Sequence, residues 1–291
     1  MIPPSFEYHA PTTTEEAIGL LQQLGAEAKI LSGGMSLIPL MRLRLAAPPH
    51  LIDINRIAGL AYIQEHDGVL RIGGLTREAE LERSDLVRSK YPILAETAAV
   101  IGDPLVRNRA TVGGNLAHAD PANDHPATML VLAAEVVATG PKGERRIPIT
   151  RFFTGFFATA LDPDEILTEI CIPIPPPRSG GAYVKLERKV GDFATAAVAA
   201  QLTLDRGDVC EQVRISLTNV GPTPLEAYQA EALMRGKTVE PALVKQAAQL
   251  AAEASDPSAD LRGSVEYKRD LVRVLTVRAL NRALERARQG T

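Results

Sequence analysis

Two glycine pairs constrain this chain more than any other feature of its sequence. The first lies in Leu-Ser-Gly-Gly-Met-Ser (31–36) and the second in Thr-Val-Gly-Gly-Asn (111–115). Glycine permits positive φ angles and lets backbone N–H groups approach a ligand closely, and consecutive N–H groups in a turn form an anion site. Each pair follows an apolar or β-branched segment and precedes a small polar side chain. We therefore predict a strand, a tight turn and a polar anchor at both places, closing on one extended anionic cofactor.

Two better-known phosphate signatures and one catalytic motif are absent from the sequence. It contains no Gly-x-x-x-x-Gly-Lys-Ser/Thr, and residues 33–38 do not match the Gly-x-Gly-x-x-Gly dinucleotide turn. The Gly-x-Ser-x-Gly nucleophile elbow is absent as well, because Ile38 occupies the position of its second glycine. A serine hydrolase is therefore not expected.

Length, composition and charge limit the class of protein. A chain of 291 residues is long enough for about two domains, and 45% apolar with 23% charged residues is a globular composition without a membrane-spanning segment. The net charge of −3 argues against a nucleic-acid-binding surface, which needs a basic excess. The first residues show no basic region followed by an apolar core, so no signal peptide is expected and the predicted location is the cytoplasm.

Apolar patterning predicts alternating strands and helices before residue 177. A first α/β unit is expected over residues 1–56 and a second over residues 57–177. Prolines and glycines cluster over residues 173–181 and mark a linker. We therefore place a domain boundary between residues 177 and 178.

After this boundary the pattern changes to three strands followed by three helices. The helices are expected to begin at about Leu225, Glu240 and Ser264. The last one carries Arg278, Arg282 and Arg286 at a spacing of four. These arginines are expected to form a solvated helix face or to contact an acidic partner surface.

Cysteine content decides where an iron–sulfur centre could be. Cys171 and Cys210 are the only cysteines, and each lies in an apolar segment typical of a buried thiol. An iron–sulfur cluster usually takes four cysteine ligands, so this chain cannot hold one alone. Any such centre must belong to a partner.

Two other functions remain open at this point. His118, Asp120, Asp124 and His125 follow the second glycine pair, and imidazole with carboxylate is a ligand set for divalent metals, as in a metal-dependent hydrolase. Such polar clusters also arise as hydrogen-bonded loops. The chain could also be a non-catalytic scaffold in which the glycine pairs only form turns.

Three segments give a specific resemblance to a known family. They are 32–37, 111–121, and the run 185–189 with Gly191-Asp192-Phe193. Together they resemble the FAD-binding medium subunit of molybdenum hydroxylases, of the carbon monoxide dehydrogenase type within the wider xanthine dehydrogenase family. The likeness covers essentially the whole chain.

The resemblance implies an α+β fold and a part in a larger flavoprotein oxidoreductase. Residues 1–177 would form a FAD-binding domain of the vanillyl-alcohol-oxidase (PCMH) type, and residues 178–291 a smaller α+β domain with a three-stranded sheet and helices. The implied partners are a small subunit with two [2Fe–2S] clusters and a large molybdopterin subunit, as a dimer of heterotrimers. FAD would pass electrons from those clusters to an external acceptor, so no catalytic residue and no metal ligand is expected in this chain.

The resemblance also implies which residues contact FAD. The pyrophosphate would be held by backbone N–H groups of two segments, 32–36 and 113–115. Thr111 and Asp124 would bind the ribityl or flavin region, Ile101 and Leu167 would flank the adenine, Lys185 would supply a positive charge, and Phe193 would lie beside the isoalloxazine. The full implied set is Ser32, Gly33, Gly34, Met35, Ser36, Ile101, Thr111, Val112, Gly113, Gly114, Asn115, Asp124, Leu167, Lys185 and Phe193. Met35 departs from the family, where His or Gln is common, so a polar side-chain contact is missing there.

Overall fold

The first part of the chain is a small parallel α/β unit. The computed structural model describes residues 2–290. The three strands are arranged in the order β1-β3-β2. The elements are β1 (Glu7–His9), α1 (Thr14–Leu24), β2 (Ala28–Leu31), α2 (Leu37–Arg42) and β3 (His50–Asp53).

Local sequence explains the one long helix of this unit. The Thr13 hydroxyl accepts a hydrogen bond from the Glu16 backbone N–H (3.2 Å), which caps the first turn of α1. Gly25 ends the helix with φ of 57°. Ala17, Ile18 and Leu21 are buried on one face and pack against the sheet, so α1 fixes the sheet whose strand ends carry the first glycine pair.

The second part is built on a five-stranded antiparallel sheet in the order β4-β5-β10-β6-β7. Its central strands and the surrounding helices bury the largest apolar cluster of the chain. A separate two-stranded hairpin is formed by β8 and β9. The elements are β4 (Ile63–His66), β5 (Val69–Gly73), α3 (Glu78–Arg83), α4 (Asp85–Lys90), α5 (Pro92–Ala99), α6 (Pro104–Arg107), α7 (Val112–His118), α8 (His125–Val131), β6 (Glu135–Gly140), β7 (Gly143–Pro148), β8 (Phe153–Gly155), β9 (Ala158–Thr159) and β10 (Ile166–Pro173).

The third part is an antiparallel sheet in the order β11-β12-β13-β14 followed by helices. The elements are β11 (Ser179–Leu186), β12 (Ala196–Leu204), β13 (Cys210–Thr218), β14 (Leu225–Glu226), α9 (Tyr228–Met234), α10 (Pro241–Ala254) and α11 (Val265–Gln289). The three long strands were expected, and the structure adds a two-residue fourth strand. The prediction of a helix from Leu225 is wrong by three residues, because Leu225 and Glu226 pair with Leu217 and Ser216 of β13.

The third sheet is covered on both faces. On β12, Ala197 and Ala199 belong to the apolar cluster of the second part, while Ala196, Val198 and Ala200 belong to the cluster formed with α10 and α11. Alternate residues of a strand point to opposite faces, so one strand serves two cores. The side chains on this strand are small, which allows helices to pack closely on each side.

The arginines of α11 hold the third part to the second. Arg282 and Arg286 form ion pairs with Glu96 of α5. The expected solvated helix face holds for Arg278 and Arg282, which are exposed, whereas Arg286 is only 19% exposed. The acidic group that Arg282 and Arg286 contact lies within the same chain. Within residues 2–290, no helix is both long enough and apolar enough to cross a lipid bilayer.

Candidate cofactor-binding site

The structure brings the two glycine segments into direct contact. The backbone of Gly33 packs against the carbonyl of Arg109 so closely that a Cβ at Gly33 would lie 2.5 Å from that oxygen. The Ser32 and Thr111 hydroxyls share a hydrogen bond of 2.7 Å although they are 79 residues apart in the chain. The two segments therefore form one site at the junction of the first and second parts.

The first segment offers unpaired backbone donors. Gly34 has φ of +74°, a conformation that favours glycine, and its carbonyl accepts from the Ile38 N–H (3.0 Å) to start α2. The N–H groups of Gly33, Gly34, Met35 and Ser36 donate to no acceptor in the part of the chain that the structure describes. Successive N–H groups without acceptors are the donor set that a phosphate requires.

The second segment is a helix start, and the prediction of a strand and tight turn is wrong there. Thr111 is the N-cap of α7, and its Oγ1 accepts from the Gly114 N–H (3.1 Å). The Gly113 N–H donates to the carbonyl of Gly74 (3.1 Å) and the Asn115 N–H to that of Thr111 (2.9 Å). All three N–H groups already have acceptors within the chain, so their predicted bonds to phosphate stay a prediction.

Glycine is required in this helix for space. A Cβ at Gly113 would lie 2.5 Å from the Gly74 carbonyl oxygen, and one at Gly114 would lie 2.6 Å from Thr111 Oγ1. Gly113 lets the helix pack onto the backbone of the second sheet, and Gly114 keeps room beside the Ser32 side chain, 3.7 Å from its would-be Cβ. The Oδ1 atom of Asn115 is buried and has no hydrogen-bond partner among the described residues.

Two residues that the sequence analysis missed hold the glycine segments together. Asn55 donates from Nδ2 to the Ser32 carbonyl (2.8 Å) and accepts at Oδ1 from Arg77 (2.6 Å). Arg77 also donates to the Arg109 carbonyl (2.6 Å). Asp53 accepts from Asn55, and although burial alone would raise its pKa, hydrogen bonds from Tyr8 and Asn55 keep that pKa below the ordinary value. No sequence signal marked Asn55 or Arg77, since single polar residues in loops are common.

A third glycine pair was also missed, and its signal was present. Gly73 is the last residue of β5 and Gly74 follows it, whereas the first pair begins one residue after β2. A Cβ at Gly74 would lie 2.4 Å from the carbonyl oxygen of Leu167. The Leu167 side chain itself lies in the apolar cluster of the second part, so its predicted contact with adenine stays a prediction. Val112 is likewise fully buried in that cluster.

A buried ion pair forms a second group of predicted residues. Lys185 Nζ donates to Asp124 Oδ2 (2.9 Å) and to the Val100 carbonyl (3.0 Å), beside the buried Ile101, and the Tyr183 hydroxyl donates to Asp124 Oδ1 (2.6 Å). Burial raises the pKa of Asp124, and the Lys185 charge and the Tyr183 hydrogen bond oppose that rise. Burial and the Asp124 charge raise the pKa of Tyr183 well above its ordinary value. Lys185 therefore has a carboxylate partner inside the protein.

Phe193 lies in an exposed segment that covers Gly102. Its side chain is 47% exposed, and the Arg262 guanidinium lies 6.0 Å from the ring centroid. Asp192 bonds Arg262 (2.9 Å) and Arg188 (3.2 Å), and these bonds, that of Arg262 above all, lower the pKa of Asp192 to about 2. The segment is therefore held by ion pairs while its aromatic side chain faces outward.

The four residues considered for a metal-dependent hydrolase do not converge. His125 Nε2 bonds Glu78 Oε2 (2.7 Å) where both side chains are fully buried, and Asp124 bonds Lys185. His118 packs against the ring of Phe157 (centroids 5.0 Å apart), and burial lowers its pKa while the charge of Asp120 opposes this. Within residues 2–290, no three of them bring ligand atoms close enough to share an ion. The geometry therefore gives no support to the hydrolase hypothesis.

Comparisons with known proteins identify the family. Residues 4–175 match the FAD-binding domain in molybdopterin dehydrogenase, and residues 181–283 match the CO dehydrogenase flavoprotein C-terminal domain. The chain belongs to this FAD-binding family. It is the FAD subunit of an oxidoreductase complex, a medium subunit of the molybdenum hydroxylases. The resemblance drawn from the sequence motifs and the predicted fold class are confirmed.

Individual relatives cover nearly the whole chain. The medium chain of carbon monoxide dehydrogenase from Hydrogenophaga pseudoflava is 45% identical, covering 98% of this chain and 99% of its own. A 6-hydroxypseudooxynicotine dehydrogenase complex subunit alpha from Paenarthrobacter nicotinovorans is 39% identical, covering 99% and 97%. A solved structure of the Hydrogenophaga carbon monoxide dehydrogenase superposes with a TM-score of 0.96 at 47% identity, covering 98% and 99%.

The residues of the site fit the cofactor of this family, which is FAD. The unpaired N–H groups of segment 33–36 suit a pyrophosphate, which carries its charge on acceptor oxygens. The buried, unpartnered Oδ1 of Asn115 suits a donor such as a ribityl hydroxyl. A polar cofactor that carries both donors and acceptors would satisfy these N–H groups and the Asn115 oxygen.

Proposed function

We propose that this chain binds and orients FAD so that electrons from a partner subunit pass to an external acceptor. The observation that carries the proposal is the row of unpaired N–H groups at 33–36, next to Ser32, whose hydroxyl bonds Thr111, in a chain of this family. FAD supplies the redox chemistry when bound, and the protein supplies binding, orientation and electrostatics. The site residues implied by the resemblance are proposed as the cofactor contacts, Met35 through its backbone only.

The source of the electrons is proposed to lie outside this chain. Cys171 and Cys210 are both buried and unpaired with each other, and two thiols are too few for a cluster. As the family resemblance implies, we assign two [2Fe–2S] clusters to a small partner subunit and substrate oxidation to a large molybdopterin subunit, in a dimer of heterotrimers. The free thiols agree with a reducing compartment, so we propose a cytoplasmic location.

The proposal also divides the chain into a FAD-binding domain and a C-terminal domain. We assign residues 1–177 to FAD binding, with subdomains 1–56 and 57–177, and residues 178–291 to the C-terminal domain. The third sheet begins at Ser179, which supports a boundary after residue 177. The contact of Ser32 with Thr111 supports a cofactor site between the two subdomains.

The substrate is proposed to be set by the large subunit. Relatives at 45% and 39% identity carry the names of different substrates, carbon monoxide and 6-hydroxypseudooxynicotine. Relatives that match this chain over nearly its whole length are thus named for different substrates. This agrees with a medium chain that carries electrons and does not touch the substrate.

Coexpression with the two candidate partner subunits tests the proposal. The chain made alone should bind FAD and show no reduction by candidate substrates, whereas the three chains should coelute on size-exclusion chromatography and give substrate-dependent flavin bleaching. A mixture lacking only the small subunit serves as the control and should stay oxidised. Reduction of flavin by substrate in this chain alone, or persistent separation of the three chains, would overturn the proposal.

A further inference from the structure

A cluster of two histidines and a glutamate lies on the first sheet, outside the cofactor site. Glu7 and His9 are alternate residues of β1, so they share one face of the sheet. Glu7 pairs with His50 of β3 in the parallel register, which places His50 on that same face. The fold thus gathers three potential metal ligands, the first and last residues of β1 and the first residue of β3.

The distances within this cluster match a metal coordination shell. His9 Nε2 lies 3.3 Å from His50 Nδ1, and Glu7 Oε2 lies 3.4 Å from the same nitrogen. The ligand atoms of all three residues lie within 4.8 Å of one another. Zinc–nitrogen bonds of about 2.0–2.1 Å in a tetrahedron separate neighbouring ligand atoms by roughly 3.3–3.4 Å. Two of the three edges therefore already have the required length.

We propose that Glu7, His9 and His50 bind a divalent transition-metal ion, for which zinc is the best match. Imidazole nitrogens with one carboxylate suit zinc better than magnesium or calcium, which prefer oxygen ligands. Three protein ligands leave a fourth position for water. The His50 side chain is 16% exposed and that of Glu7 is 74% exposed, so an ion can reach the cluster from solvent.

The expected effect of the ion is to fasten β1 to the sheet. This strand has three residues, two of them exposed, and it pairs only with β3 among the described strands. A metal bridge between residues 7–9 and residue 50 closes a long loop, which restricts the unfolded chain. Bound zinc should therefore slow amide hydrogen exchange at Tyr8 and His9.

Metal titration of the full chain tests the site. The chelator-treated protein, with FAD bound, is titrated with Zn²⁺ by calorimetry and with Co²⁺ by visible difference spectroscopy. We expect one site per chain and tetrahedral Co²⁺ bands. His9→Gln and His50→Gln should weaken Zn²⁺ binding by more than the roughly 10–100-fold loss that changes in outer-shell partners cause.

His66→Gln provides the matched control. His66 is the exposed last residue of β4 and lies 2.9 Å from Asp67, with no third ligand among residues 2–290. This variant should therefore bind Zn²⁺ like the parent chain. Retained FAD shows that a variant is folded. If a histidine variant does not fold, Glu7→Gln is tested in its place. Equal Zn²⁺ affinity in the parent chain and the ligand variants would overturn the site, leaving a histidine–histidine hydrogen bond. So would zinc binding that leaves hydrogen exchange of β1 unchanged.

Discussion

At the scale of single residues, glycines in this site serve two different purposes. Gly34 adopts a positive φ angle in the segment of unpaired N–H groups, whereas Gly113 and Gly114 lie in helix α7 and provide space. The sequence alone could not separate these roles, because both give the same dipeptide. The distinction depends on the carbonyl of Gly74, which a distant strand brings to Gly113.

Gly34→Ala tests the first of these roles. The added Cβ would meet Ile38 Cδ1 at 2.7 Å, and a left-handed backbone costs a non-glycine residue roughly 1–2 kcal/mol. Gly68→Ala is the matched control, since Gly68 has φ of +76° and open space around its Cβ. We expect similar losses of stability from both, but weaker FAD binding only for Gly34→Ala, by fluorescence titration. Equal FAD affinities of the Gly34→Ala and Gly68→Ala proteins would show that FAD binding does not require glycine at position 34.

Lys185→Met tests the buried ion pair. Breaking a buried pair costs about 3–5 kcal/mol because it leaves the other charge uncompensated, and here that charge is Asp124. Lys268→Met is the control, because Lys268 is equally buried and lies 2.8 Å from Asp260 in the C-terminal part. Asp260 is more exposed than Asp124, so the control should lose less stability in urea denaturation.

The two lysine variants should also differ in FAD affinity. Lys185 contacts Asp124 and the carbonyl before Ile101, all within the proposed cofactor region. Only Lys185→Met is therefore expected to weaken FAD binding, in an equilibrium dialysis measurement. An unchanged dissociation constant in a folded Lys185→Met protein would reduce Lys185 to a structural role.

At the scale of elements, the sequence predicted most strands and missed the start of α7. The strand predicted before the first glycine pair is present as β2, since a short apolar run before a glycine pair is a clear signal. The second glycine pair predicts a tight turn where α7 begins, because glycine permits positive φ. Glycine also lowers helix propensity by about 1 kcal/mol per residue. Tertiary contacts override that cost, since the Thr111 cap and the packing on Gly74 both favour the helix.

Thr111→Val tests the coupling of this helix to the first glycine segment. It removes the hydroxyl that caps α7 by accepting from the Gly114 N–H, and with it the hydrogen bond to Ser32. Loss of a helix cap costs about 0.5–2 kcal/mol. Thr13→Val removes the equivalent cap of α1 and is the matched control. Both should lower the unfolding free energy in urea, and only Thr111→Val should weaken FAD binding.

A double-mutant cycle isolates the contact between the two segments. Ser32→Ala combined with Thr111→Val should cost less than the sum of the single changes, because both remove the same 2.7 Å hydrogen bond. Coupling between residues in contact is about 0.5–3 kcal/mol. Additive effects on stability and on FAD affinity would mean that the two hydroxyls act independently.

At the scale of the whole molecule, the cores of the second and third parts are continuous. Tyr183, Ala194, Ala197 and Ala199, all beyond the proposed boundary, belong to the apolar cluster of the second part. Sequence patterning predicts a boundary but could not reveal this sharing, because alternation along a strand does not say which element covers each face. The contacts of Glu96 with α11 and of Asp124 with Tyr183 tie the same parts together.

A fragment of residues 1–177 is therefore expected to lose FAD binding. Its α5 and α8 would expose the apolar faces that β11 and β12 cover, and its Asp124 would lack both Tyr183 and Lys185. The full chain should unfold in a single calorimetric transition, whereas the fragment should bind a hydrophobic dye and melt without cooperativity. A chain truncated after Arg286 is the control. It should keep FAD, since the shared core lies well before that point. Two separate transitions in the full chain, or a folded fragment with unchanged FAD affinity, would show that the FAD-binding domain is independent of the C-terminal domain.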